Sequence, residues 1–231
     1  MRVLAWLLAA AALQMSLTTT PRDAPRVDPR LVDAIGWYTG TAGRVDDPRA
    51  RVLVEAAARD GDVLGRMWLA RAYSRGRMGL PRDEARAKAM AAIVLDAVRR
   101  QADRGSAEAQ FLVGTALDEG LGVPEDPAAA LEWFRRAAAQ DHTLAQHNLG
   151  NAFAAGRGVT ADAAEAVRWW LKAGEKGDAV VQQRLGESYE RGTGVPRDPA
   201  QARRWYTDAA GRGNAQAKAA LERLGGGLER R

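Results

Sequence analysis

The sequence contains no cysteine. Disulfides, thiol nucleophiles and cysteine-ligated metal sites are therefore excluded, as is a lipid-modified cysteine behind the N-terminal segment. Histidine is nearly absent too. His142 and His147 lie five apart near the start of one helix, so they do not share a helix face as an i, i+4 zinc pair would. The few serines sit in no Gly-x-Ser-x-Gly elbow. Gly-Arg-Gly and Gly-Thr-Gly segments occur, but without the strand context of a nucleotide fingerprint. Adjacent carboxylates such as Asp118-Glu119 point apart on a helix, so acid–base work on a sugar polymer is not singled out. The expectation is no catalytic residue, no metal site, no cofactor and no enzyme. Long basic blocks are missing as well. Lys and Arg number 34 against 29 Asp and Glu, a net charge of +5, and the basic residues are spread along the chain. Nucleic acid would need a concentrated patch, so no nucleic-acid partner is expected.

Long apolar runs are also few. The N-terminal one, Val3 to Leu13, follows Met1-Arg2 and ends before a Thr18-Thr19-Thr20-Pro21 break. It is well short of the ~20 residues that span a bilayer and fits the apolar core of a secretory signal peptide. Residues 1–20 are read as that signal, with no transmembrane span beyond it and export to the periplasm or outside the cell. An uncleaved anchor or a buried first helix are the other readings. Residues 21–30, with three prolines and no apolar periodicity, read as a linker.

What is abundant is repetition. Gly120-Leu-Gly122-Val123, Gly156-Arg-Gly158-Val159 and Gly192-Thr-Gly194-Val195 step by 36 residues, and Asp126, Asp162 and Asp198 follow in phase. Trp133, Trp169 and Trp205 keep the same step, each followed by another aromatic, Phe134, Trp170 and Tyr206. Alanines flank them in register, and Gly114, Gly150 and Gly186 recur upstream. Residues 61–104 form a longer variant unit whose extra residues fall in its second helix, from Glu84. A degraded unit starts near Leu31, with Gly40, Asp46, Ala50 and Ala57 set 80 residues before their counterparts. Residues 213–224 supply a terminal half-unit, the cap that solenoids need.

Each position has a physical reading. In Thr143 to Ala155, Ala145, Leu149 and Phe153 share one helix face. A glycine inside each first helix costs about 1 kcal/mol relative to alanine, which argues for close backbone approach by the partner helix. The Gly-x-Gly-Val turn ends that helix. The phased Asp stands at the next N-cap, with Pro127 and Pro199 at the first helical position and Asp162 with Glu165 resembling a capping box. The second helix carries Ala–Trp–Ala, with Trp filling the gap to the adjacent unit. The fold is therefore all-α, a solenoid of helix-turn-helix repeats over residues 31–224, with 225–231 as a flexible tail.

The segments from Ala107, Ala109, Gln110, Gly114 and Gly120, from Ala145-Gln146, Leu149-Gly150, Phe153 and Gly156, and from Gln182, Leu185-Gly186, Tyr189 and Gly192 resemble the Sel1-like repeat (SLR), a relative of the tetratricopeptide repeat. The resemblance implies a right-handed superhelix that recruits partner proteins. Bacterial members with signal peptides look like envelope adaptors, regulators and surface-assembly factors. One secreted branch linked to penicillin binding has paired cysteines that this chain lacks. In tetratricopeptide-like stacks the first helices line the concave face. The outward positions there are Leu64, Met67, Arg71, Phe111, Thr115, Leu144, His147, Asn151, Val180, Gln183 and Glu187. With Leu64, Met67, Phe111, Leu144 and Val180 as an apolar floor, this face is expected to hold a protein segment. Burial of Phe111 and Leu144 would overturn that placement. The sequence thus reads as a non-enzymatic adaptor in the bacterial envelope. The alternative is a peptidoglycan-binding or hydrolase-like secreted protein, which a polar, carboxylate-rich groove would favour.

Overall fold

In the computed structural model, residues 24–225 are described, and the expected signal segment and most of the C-terminal tail lie outside them. Eleven helices follow one another, with no strand among the described residues: α1 Pro29–Thr39, α2 Asp47–Arg59, α3 Val63–Arg75, α4 Glu84–Asp103, α5 Ala107–Glu119, α6 Pro127–Ala139, α7 Thr143–Ala155, α8 Ala163–Glu175, α9 Ala179–Arg191, α10 Pro199–Gly211 and α11 Ala215–Gly225. Each odd-numbered helix from α1 to α9 packs antiparallel-hairpin fashion on the even one after it, and each even one packs on the next unit's first helix. α1 begins inside the stretch read as a linker, because Asp28 accepts from the Arg30 N–H as an N-cap with Pro29 at the first helical position. The variant unit's second helix runs 20 residues against the 13 of α6, α8 and α10. None of these helices is long and apolar enough to cross a membrane.

The caps fall where the phased residues place them. Asp126, Asp162 and Asp198 accept from backbone N–H groups at the starts of α6, α8 and α10. The capping box at Asp162 is only half made. The Glu165 N–H donates to Asp162 at 2.9 Å, but the Glu165 carboxylate pairs with Arg168. One cap carries no sequence signal. His142 caps α7, its Nδ1 accepting the Ala145 N–H at 3.2 Å, which leaves Nε2 as the donor to buried Glu108 at 2.9 Å.

The mid-helix glycines do admit a close neighbour, but it is a ring rather than a backbone. A Cβ at Gly150 would stand 2.2 Å from the Trp170 ring, one at Gly186 2.5 Å from Tyr206 and one at Gly114 2.7 Å from Phe134. The second aromatic of each pair is thus a core residue in every unit, whereas of the first aromatics only Trp205 is buried as well. Trp133 and Trp169 are only half-buried, with Arg136 and Lys172 over their rings at 4.6 and 4.2 Å. The second glycine of each turn joins units. Gly194, at φ +75°, lies where a Cβ would meet the Ala163 carbonyl oxygen at 2.2 Å, and Gly158 sits likewise against Pro127. Only glycine satisfies both the left-handed backbone and that contact.

The superhelix returns on itself. The Val45 N–H donates to the Arg212 carbonyl at 3.0 Å, and the Arg212 guanidinium donates to the Gly40 carbonyl at 2.8 Å. The α1–α2 turn therefore touches the end of α10, and the first helices enclose a central hollow.

Candidate partner-binding hollow

The hollow has a volume of about 580 Å³ and is lined by residues of the first helices of the five complete units. Tyr38 and Thr39 come from α1, Arg71 and Arg75 from α3, Asp118 and Glu119 from α5, His147, Asn148 and Asn151 from α7, and Val180 and Arg184 from α9. Arg77, Glu125 and Arg157 reach it from turns, and Leu131 and Phe134 from α6.

Most of its charges are already partnered. Glu119 accepts from Ser74 at 2.7 Å and from Arg75 at 2.8 Å. Burial works against the Arg75 charge, yet Glu119 beside it raises its pKa above the ordinary arginine value. Arg77 stands 3.3 Å from Asp47. Arg157 joins two units, donating to Asp118 at 2.6 Å and to Glu125 at 3.0 Å, and these hydrogen bonds raise its pKa further. Asp178, 1% exposed, caps α9 by accepting the Val180 and Val181 N–H groups at 3.1 Å each. Its other oxygen accepts His147 Nδ1–H at 2.9 Å, which fixes the imidazole at the hollow's wall. A nucleophile relay would need a hydroxyl on the far nitrogen; none is hydrogen-bonded to it among the described residues. No group of three His, Asp or Glu there is placed to hold a metal ion.

The eleven residues expected on the concave face divide sharply. Arg71, Leu144, His147, Asn151 and Val180 line the hollow. Leu64, Met67, Phe111, Thr115 and Gln183 do not, and all five are buried; Glu187 is half-buried and outside the lining. Phe111 is 0% exposed and Leu144 3%, so the expected apolar floor is corrected to a polar one. The reason is curvature: α3 and α5 touch one another directly, and residues that a looser stack would turn toward a groove are consumed between first helices. Phe111 stacks on His142 with ring centres 4.8 Å apart and packs on Trp68 at 5.8 Å. Glu108 below them accepts Trp68 Nε1–H at 2.6 Å. Sequence reasoning missed Arg75, Asn148 and Arg184, each four residues beyond a lining residue. That stripe was available by turning the helical wheel about one position. Tyr38, Arg77 and Arg157 carried no such signal, because only ring closure and turn geometry bring them in.

The Sel1 repeat model matches residues 34–62, 64–91, 107–142, 143–178 and 179–214, well over half of the chain. The chain belongs to the Sel1 repeat family. A Sel1 repeat protein from Oxalobacter formigenes is similar at 34% identity over 78% of this chain and 50% of that one, with a TM-score of 0.53. A protective antigen present in uropathogenic Escherichia coli strains, with an SLR fold, is similar at 26% identity over 83% of this chain and 47% of that one, with a TM-score of 0.56. The chain thus spans about half the length of these two relatives. No curated protein matches it. Helical proteins of this family generally mediate protein–protein interaction and are generally not catalytic.

Proposed function

We propose that the protein is a non-enzymatic adaptor, exported to the bacterial envelope by its N-terminal apolar segment, that holds a segment of a partner protein in the central hollow. The observation that carries this reading is the hollow itself, roomy and contributed to by the first helices of the five complete units, which is how a repeat stack builds one extended binding surface. Its carboxylates are engaged by arginines, an imidazole or a helix start, so none stands free for acid–base work. The test is a crosslinking pull-down from native envelope, comparing the wild-type chain with Arg184→Glu, a change on the hollow's wall. A partner enriched by wild type and lost in the variant supports the reading. Enrichment that is indifferent to the variant, or absent with a folded product, overturns it. N-terminal sequencing of the mature protein tests export: removal of about the first 20 residues is expected. The polar lining favours one second reading, wall binding, for which cosedimentation with purified peptidoglycan is the direct assay.

A further inference from the structure

Two arginines of the hollow have a buried Nε–H with no hydrogen-bond acceptor. Arg71 is 6% exposed, yet its nearest carboxylate oxygen, on Glu119, stands 3.6 Å from Nε, beyond hydrogen-bonding range. Glu119 is instead hydrogen-bonded by Ser74 at one oxygen and by Arg75 at the other. Arg71 Nε is buried without a partner, and so is Arg184 Nε. Arg184 has no carboxylate within ion-pair distance among the described residues. The rings of Tyr38, Trp68 and Phe111 surround the Arg71 guanidinium at 5.7, 5.1 and 5.3 Å. They hold the cation but accept none of its five N–H donors. Arg71 thus has an ion pair without a hydrogen bond, and a buried N–H left without an acceptor, as each Nε here is, carries a cost that an incoming acceptor recovers.

We propose that the hollow takes an Asp or Glu side chain from an otherwise uncharged stretch of a partner protein, anchored by Arg71 at the floor and Arg184 on the wall. This rests on the adaptor reading and names the chemistry of the partner. Arginine suits the role because its planar fork matches a carboxylate. Five arginines face four carboxylates in the lining, so the hollow is nearly balanced in charge and suits one acid rather than a polyanion. Asn151 adds a contact for a peptide backbone: its Oδ1 accepts Trp170 Nε1–H at 3.2 Å, leaving its amide N–H groups to donate to a carbonyl. The volume of the hollow lies within the ordinary range of ligand sites.

The experiment is selection of displayed random short peptides on the full chain, followed by anisotropy titration of a selected peptide. The variants are Arg184→Gln and Arg71→Lys, each checked for helicity and cooperative melting. An Asp or Glu at one position of the bound peptides is expected. Its change to Asn or Gln weakens binding about ten-fold or more, and the same change made with Arg184→Gln costs little extra, a coupling that a merely structural arginine would not show. Arg71→Lys keeps the charge but loses the fork, so it also weakens the acidic peptide selectively. Peptides that bind without an acidic position, or that are indifferent to both variants, overturn this inference and leave the adaptor reading standing. Enrichment of no peptide at all overturns both.

Discussion

Replacing Gly150 by alanine is the sharpest test of how the units are packed. On helix propensity alone the change would stabilise α7 by about 1 kcal/mol, since Gly150 sits inside the helix with ordinary backbone angles. The structure reverses that sign. The new methyl would stand 2.2 Å from Trp170 Cδ1 and 2.3 Å from Nε1, so the indole must move. Moving it opens a buried contact and breaks the Trp170–Asn151 hydrogen bond. Overpacking of this kind costs about 1–3 kcal/mol, and loss of the hydrogen bond about 1 kcal/mol more. Against the propensity gain, the net is a loss of about 1–3 kcal/mol. For a domain of this size each kcal/mol lowers the melting temperature by about 2–4 °C. Far-UV circular dichroism melts read it directly. Gly211→Ala is the control, because a Cβ there meets nothing within 4 Å, and it should be neutral or stabilising. The double change Gly150→Ala with Trp170→Leu should cost less than the two single changes added. A Gly150→Ala protein that melts at or above wild type refutes the ring-on-glycine account.

Three further outcomes follow from other contacts. Glu190 accepts from Arg223 at 2.6 and 2.8 Å and from the Tyr206 hydroxyl at 2.8 Å, and these bonds to Arg223 and Tyr206 lower its pKa below the ordinary 4.5. A lowered folded-state pKa means stability that is full above the unfolded value and lost as pH falls through the folded one. Acid should therefore loosen α11 before the other helices, and Glu190→Gln should abolish that pH dependence in hydrogen exchange of α11. His142→Asp should destabilise although aspartate is the better N-cap, because it sets a second carboxylate beside buried Glu108; a loss of about 1–3 kcal/mol in urea midpoint analysis is expected, and a gain would sink the assignment. Arg212→Ala should release the ring closure at Gly40, seen as faster amide exchange over residues 40–45 and a larger radius of gyration by X-ray scattering, and an unchanged radius would show that the backbone bond between Val45 and Arg212 suffices.

The sequence by itself determined the units. Turn glycines, phased N-cap aspartates and the first-helix core face act within one or two adjacent helices, so a 36-residue period exposes them: Asp126, Gly158 and Leu149 each do what their spacing says. The longer α4 and the half-unit α11 were legible for the same reason. How tightly the units wind was decided only by the tertiary structure, since curvature is the sum of small rotations at several interfaces. That sum sinks Phe111 and Met67 between first helices, turns Arg75 and Arg184 inward, and carries Gly40 to Arg212 across 172 residues of chain. The character of the hollow, polar instead of apolar, is a consequence of that winding, which no local pattern encodes.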